Sequence, residues 1–210
     1  MNYSSLNYNS SAVSFLEAVR KGLAPDRGLY YPESIPKLPK DFIKNIGKYS
    51  NHEIALTVIK PFVGSDIPEA RLKEIIEDTL NFDFPLIPIN NSIASLELFQ
   101  GPTLAFKDVG ARFMARCLAY ANEIEEQKKL TILVATSGDT GGAVADGFYK
   151  VKGIDVVILY PKGKVREVQE KQLTTLGENI TALEVNGTFD DCQDMVKTAF
   201  IDPELTNEVA

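Results

Sequence analysis

The sequence predicts an α/β protein in which a mostly helical opening segment precedes a parallel sheet flanked by helices. Three observations lead there. Up to about Phe84, apolar residues recur at helical spacing. From Pro85 onward, β-branched apolar runs alternate with helix-patterned stretches. The run Leu130–Ala135 ends in a Ser-Gly-Asp-Thr-Gly turn that opens an alanine-rich helix. Strands separated by helices of this length return in the same direction, and the helices then cover the sheet.

Taken in order, Ser14 with Glu17 predicts a capping box on a helix that Gly22 stops. Ala24-Pro25-Asp26-Arg27-Gly28 predicts a turn, and Leu29-Tyr30-Tyr31 a short extended piece closed by Pro32. Asn51 is the expected cap of a helix running to about Lys60. Pro68 suits the first turn of the next helix, where Leu72, Ile75, Ile76 and Leu80 form a core-facing stripe. Leu86–Ile89 and Ile93–Phe99 are expected strands. Lys107 then opens a helical stretch whose apolar face holds Val109, Phe113, Met114, Cys117 and Ala121. Strands over 130–135, 154–160 and 179–185 alternate with helices near 140–149, 164–176 and 189–200. This divides the chain into a helical scaffold domain, 1–85, and an α/β domain, 86–210. The ligand crevice belongs at the carboxyl ends of the strands, where Ser137–Gly141 falls.

At 210 residues, with 44% hydrophobic and 24% charged residues, the chain buries a sizeable core in one or two domains. A net charge of −7 argues against nucleic acid or an anionic membrane as the main partner. An anionic small molecule would need a local basic pocket, and Lys107, Arg112, Lys162, Lys164 and Arg166 are the cations near the motifs. For Lys162 and Lys164 a solvated loop is the competing reading. Cys117 and Cys192 are too few for a disulfide framework, and with the lone His52 they do not make a zinc site. Core-facing free thiols in a reducing compartment, and no bound metal, are expected. The opening residues carry no apolar signal core and no run is long enough to span a bilayer, which points to the cytoplasm.

Two segments carry chemistry. In Leu98-Phe99-Gln100-Gly101-Pro102-Thr103-Leu104-Ala105-Phe106-Lys107-Asp108 a lysine follows an apolar run. A lysine drawn into an apolar site loses hydration, which favours the neutral, nucleophilic amine. Such an amine forms an imine with an aldehyde, and pyridoxal phosphate is the aldehyde most often held this way. A surface lysine at a helix start is the ordinary alternative. In Ala135-Thr136-Ser137-Gly138-Asp139-Thr140-Gly141-Gly142 a small-residue loop meets a helix N-terminus, where free N–H groups favour an anion and glycines let a ligand approach. Capping by Ser137, Asp139 or Thr140 is the alternative there.

Together, Gly101–Asp108 and Ala135–Gly141 resemble the two N-terminal signatures of the threonine synthases, which are fold-type-II pyridoxal-phosphate enzymes. Val13–Val19 with Gly22–Tyr30, Ile158–Val165, and Gly187–Gln193 resemble further stretches of that family, so the likeness runs in order from about Val13 to the last residues. The resemblance implies a tryptophan-synthase-β-like fold, pyridoxal 5′-phosphate as cofactor, and conversion of O-phospho-L-homoserine and water to L-threonine and phosphate. It implies that Lys107 holds the cofactor as a Schiff base and shuttles protons at the substrate's α- and β-carbons. Ser137, Gly138, Asp139, Thr140 and Gly141 would line the cofactor, receiving the substrate carboxylate or contacting the ring hydroxyl. Related enzymes often carry asparagine where Asp139 stands. Thr103, Ser137, Thr140 and Lys162 are the substrate-side candidates, and Phe106 is a pocket neighbour or a core residue. Threonine synthases are much longer than this chain, and their cofactor-phosphate loop, a Ser-Gly-Asn type turn, lies in a second half with no counterpart here. The chain is therefore expected to be an N-terminal portion, incomplete at its C-terminal end and inactive alone.

Other readings compete. A serine/threonine dehydratase or cysteine synthase shares the lysine and the Ser-Gly loop but not the opening helical signature. A dinucleotide-binding oxidoreductase domain fits the strand-loop-helix unit. However, Gly138-Asp139-Thr140-Gly141-Gly142 lacks Gly-x-Gly-x-x-Gly spacing, and the next strand ends in Tyr160-Pro161-Lys162 instead of an acidic ribose ligand. A non-catalytic fragment is the third.

Overall fold

The computed structural model describes residues 1–124 and 129–205. The chain forms two compact units, Met1–Asn81 and Phe82–Ala210.

In the first unit, β1 (Tyr3–Ser5) pairs antiparallel with β2 (Tyr30–Pro32), Tyr3 opposite Pro32. Helices α1 (Phe15–Lys21), α2 (Lys40–Lys44), α3 (Asn51–Val63) and α4 (Glu69–Thr79) supply the rest, with a single 3-10 turn at Ile46–Lys48. Val63, Ile67, Leu72, Ile75 and Ile76 are buried, so the predicted stripe on α4 is its core face. The Tyr3 hydroxyl donates to the Phe62 carbonyl at 2.9 Å, and the Tyr3 ring stands 5.9 Å from that of Phe15.

Three local expectations change. Ser14 caps α1 by accepting from Glu17 N, but the Glu17 carboxylate turns to Lys21 at 2.7 Å, so only half of the capping box forms. Ser50, not Asn51, caps α3, with a complete box to Glu53. Pro68 is the N-cap position of α4, its extended ψ of 144° placing it just outside the helix.

In the second unit, β3 (Leu86–Pro88) and β4 (Ala94–Leu96) form an antiparallel hairpin apart from the parallel sheet. Both strands are shorter than their apolar runs. The Asn90 side chain accepts from Ser92 N at 2.9 Å and Ile93 N at 3.0 Å, and this turn folds the chain straight back. A connection this short cannot cross over to a parallel partner.

The sheet itself is β5 (Leu130–Ala135), β6 (Ile154–Pro161) and β7 (Ile180–Val185), parallel throughout in that order. Leu130 pairs with Ile154, and Val156 with Ile180. Ile154, Val156 and Ile158 of the central strand are buried, as a strand covered by helices requires. Helices α5 (Lys107–Ile124), α6 (Asp139–Phe148), α7 (Glu167–Thr174) and α8 (Phe189–Ile201) complete the unit.

The buried face of α5 is rotated from the predicted one. Asp108, Ala111, Arg112, Ala115, Cys117, Leu118, Ala121 and Asn122 are buried, whereas Val109, Phe113 and Met114 are only partly so. The reason is the approach of α6. A Cβ at Gly147 would lie 3.1 Å from the Ala111 carbonyl carbon, so the two backbones nearly touch and only small side chains fit between them. Cys117 and Cys192 are free and buried, and burial pushes the Cys117 thiol up to about 12.

Candidate active site

The lysine-bearing segment is organised by the residue after the lysine. Asp108, 1% exposed, accepts from Thr103 N at 3.0 Å and from the Thr103 hydroxyl. Gly101 leaves no room for a side chain beside that carboxylate. Leu104 takes a φ of 60° and donates its N–H to the Gly101 carbonyl at 3.1 Å, which closes a tight turn into α5. Successive helical residues point about 100° apart, so an inward Asp108 leaves Lys107 on the open side.

The second segment is built around Thr136. Its N–H donates to the Leu159 carbonyl at 3.0 Å, extending the β5–β6 ladder by one bond. Its side-chain oxygen accepts from Gly138 N at 3.0 Å and Gly141 N at 2.8 Å. Thr136 thereby does the capping expected of Ser137, Asp139 or Thr140, and these three side chains are exposed. Gly138, at φ 150° and N-cap of α6, adopts a backbone open essentially to glycine. A Cβ at Gly141 would lie 2.5 Å from Thr136 Cγ2 and 2.8 Å from Leu173 Cδ2.

The two segments meet through one ion pair. Lys107 Nζ donates to Asp139 Oδ2 at 3.3 Å, and Gln169 Nε2 donates to Asp139 Oδ1 at 2.8 Å. Asp139 is held below the usual carboxylate range by its own backbone N–H first, then by Lys107 and Gln169. Lys107 Nζ also lies 5.0 Å from the Phe106 ring centroid. The apolar enclosure expected for Lys107 does not form. Its side chain is 34% exposed, and Leu104 and Phe106 are 69% and 62% exposed, because the turn into α5 directs Asp108 inward instead.

Of the other predicted residues, Thr103 has its hydroxyl committed to Asp108, and its carbonyl accepts from Gln172 Nε2 at 3.4 Å. Lys162 pairs with Glu184 at 3.3 Å, bridging the ends of β6 and β7 instead of joining the Lys107–Asp139 pair. Asp108, Thr136 and Gln169 were not among the sequence candidates. The first two lie inside the motifs that marked the site; Gln169 sits on α7 with no local signal. A cavity of about 450 Å³ lies elsewhere, between the second half of α5 and residues 149–153 at the amino end of the sheet. Among the described residues no cluster of His, Cys, Asp or Glu could hold a metal, and no helix is long and apolar enough to cross a membrane.

This geometry can be set beside known proteins. The family model described as "Pyridoxal-phosphate dependent enzyme" matches residues 85–208, more than half of the chain. The chain belongs to the pyridoxal-phosphate-dependent enzyme family. Residues 2–80 match a second model, described as "Threonine synthase N terminus". Threonine synthase of Buchnera aphidicola subsp. Baizongia pistaciae is 45% identical over 204 residues, covering 97% of this chain and 47% of the relative. That of Haemophilus influenzae is 44% identical over 209 residues, covering 100% of this chain and 48% of the relative. The crystal structure of threonine synthase from Escherichia coli superposes with a TM-score of 0.90 at 41% identity, covering 100% of this chain and 48% of that one. The PLP-bound threonine synthase from Brucella melitensis gives a TM-score of 0.91 at 38% identity, covering 100% of this chain and 46% of that one. The chain thus spans about half the length of the relatives it matches.

The residues of this pyridoxal-phosphate-family chain fit that cofactor. A primary amine suits an aldehyde, and Lys107 Nζ stands part-exposed at the head of α6, beside the exposed side chains of Ser137 and Thr140.

Proposed function

We propose that this chain carries the lysine-bearing part of a threonine synthase, which converts O-phospho-L-homoserine and water to L-threonine and phosphate. One observation supports it above others: Lys107 Nζ stands 3.3 Å from Asp139, at the head of α6 and the carboxyl edge of the sheet. The match of residues 2–80 to the threonine synthase N terminus favours this reading over a dehydratase or a cysteine synthase. In it, 1–85 serves as scaffold and 86–210 as the cofactor-binding domain, in a cytoplasmic protein.

Pyridoxal phosphate, when bound, supplies an aldehyde carbon for the lysine and an electron sink for charge on the substrate's carbons. Lys107 Nζ would hold it covalently and, as a free amine, would take and return protons at the substrate α- and β-carbons. Asp139 orients Lys107 from the head of α6. The exposed hydroxyls of Ser137 and Thr140 receive the substrate carboxylate with the α6 N-terminus behind them. Thr136 and Asp108 keep the two segments rigid from beneath. Thr103 acts from the lysine side by shaping the turn, and Lys162 is the substrate-phosphate cation once it exchanges Glu184 for that anion.

Borohydride reduction of the cofactor-loaded protein, followed by peptide mass mapping, should place a pyridoxyl mass on Lys107. A full-length enzyme that carries this segment should release phosphate from O-phospho-L-homoserine, and Lys107→Ala in it should abolish this. Label on another lysine, or deamination of serine without phosphate release, overturns the reading.

A further inference from the structure

Helix α7 contributes to the site from outside either motif. Gln169 and Gln172 lie one turn apart, on one face of α7, toward the glycines that begin α6. A Cβ on Gly138 would collide with the Gln169 amide, and one on Gly142 would lie 3.0 Å from Gln172 Oε1. The missing side chains at 138 and 142 leave room for both glutamines where they stand.

Once admitted, each reaches a different segment. Gln169 Nε2 donates to Asp139 Oδ1 at 2.8 Å, while the other oxygen of that carboxylate accepts from Lys107 at 3.3 Å. Gln172 Nε2 reaches the Thr103 carbonyl at 3.4 Å. A single helix face therefore touches both the small-residue loop and the lysine segment.

Asp139 is 52% exposed, and a lysine paired with so exposed a carboxylate does not by itself hold one geometry, because both side chains retain rotamer freedom and water competes. An amide donor on the second oxygen is a charge-assisted bond that restricts the carboxylate's rotation. With its own backbone N–H also on the carboxylate, Asp139 is fixed from two sides, and the lysine is aimed by what remains.

We propose that Gln169 is a positioning residue for Lys107, acting through Asp139: it turns one carboxylate oxygen toward the amine so that the amine meets the cofactor's carbonyl carbon from a fixed place. This rests on the reading of Lys107 as the cofactor-bearing residue. Gln172 supports the same arrangement by tying the Thr103 turn to α7.

The test follows the trapping of pyridoxal phosphate on Lys107 in cofactor-stripped protein, by timed borohydride quenching and peptide mass mapping. The visible spectrum of the bound cofactor is the second readout. Gln169→Leu should slow trapping roughly fivefold, the size of a coupling between contacting side chains. In an Asp139→Ala background the same substitution should add nothing. Gln169→Glu should be worse than Gln169→Leu because it sets two carboxylates against each other, and adding Asp139→Asn should restore the rate. A Gln169→Leu effect of equal size in both backgrounds means that the glutamine only packs α7 on α6, and overturns the proposal. Faster trapping in Gln169→Leu also overturns it, because the pair would then be withholding the amine. No label on Lys107 in the unsubstituted protein overturns the reading of the lysine itself.

Discussion

Replacing Thr136 by valine tests the internal support of the small-residue loop. The side chain is 1% exposed, and its oxygen accepts from the N–H groups of both Gly138 and Gly141. Valine keeps the shape and removes the acceptor, leaving two buried donors at the head of α6 without their partner. Each orphaned donor costs about 1–3 kcal/mol, and loss of a helix cap alone typically costs about 1 kcal/mol. The two donors share a single oxygen, so a total of about 2–4 kcal/mol follows. At about 3 °C per kcal/mol for a chain of this size, the melting temperature should fall by about 6–12 °C. Thr136→Ser retains the oxygen and loses one methyl, at about 1 kcal/mol. Far-UV circular dichroism during denaturant and thermal unfolding measures both, since the chain has no tryptophan to report by fluorescence. If Thr136→Val costs no more than Thr136→Ser, the hydroxyl is not what holds the loop.

Two further outcomes are expected from the titrating groups. Burial pushes the Cys117 thiol up to about 12, so a thiol reagent at pH 8 should label Cys117 only after unfolding; rapid labelling of the native protein contradicts the packing of α5. Glu69, bonded first by Lys60 and then by Lys73, has its carboxyl lowered to about 2. A folded-state value below the unfolded one gives stability that is present above the ordinary glutamate range and lost as pH falls toward 2. Carbon-13 titration of the Glu69 carboxyl should show the low midpoint, and a midpoint near 4.5 removes the double ion pair.

Local patterns in the sequence reached further into the second unit than into the first. Leu130–Ala135 forms a strand with the predicted bounds, and those of β6 and β7 differ by a single residue, because apolar β-branched runs closed by polar turns have few other options. Lys107 at the start of α5 and the glycine loop at the start of α6 were equally legible, since both are matters of backbone conformation within a few residues. The cap of α3 was off by one residue, because Ser50 and Asn51 are both good caps and only the reciprocal bond with Glu53 separates them.

The sequence by itself determined which chemical groups the chain owns and which short backbone shapes present them: a lysine opening one helix, glycines opening another, strands that must be covered. Tertiary structure alone decided who meets whom. The face α5 buries depends on how closely Gly147 lets α6 approach. That Asp139 faces Lys107, 32 residues away, depends on the register of sheet and helices. That Gln169 steadies it depends on a third helix arriving where Gly138 has no side chain. Periodicity and motif are properties of neighbours along the chain, whereas these contacts arise from packing between distant segments, which no local pattern encodes.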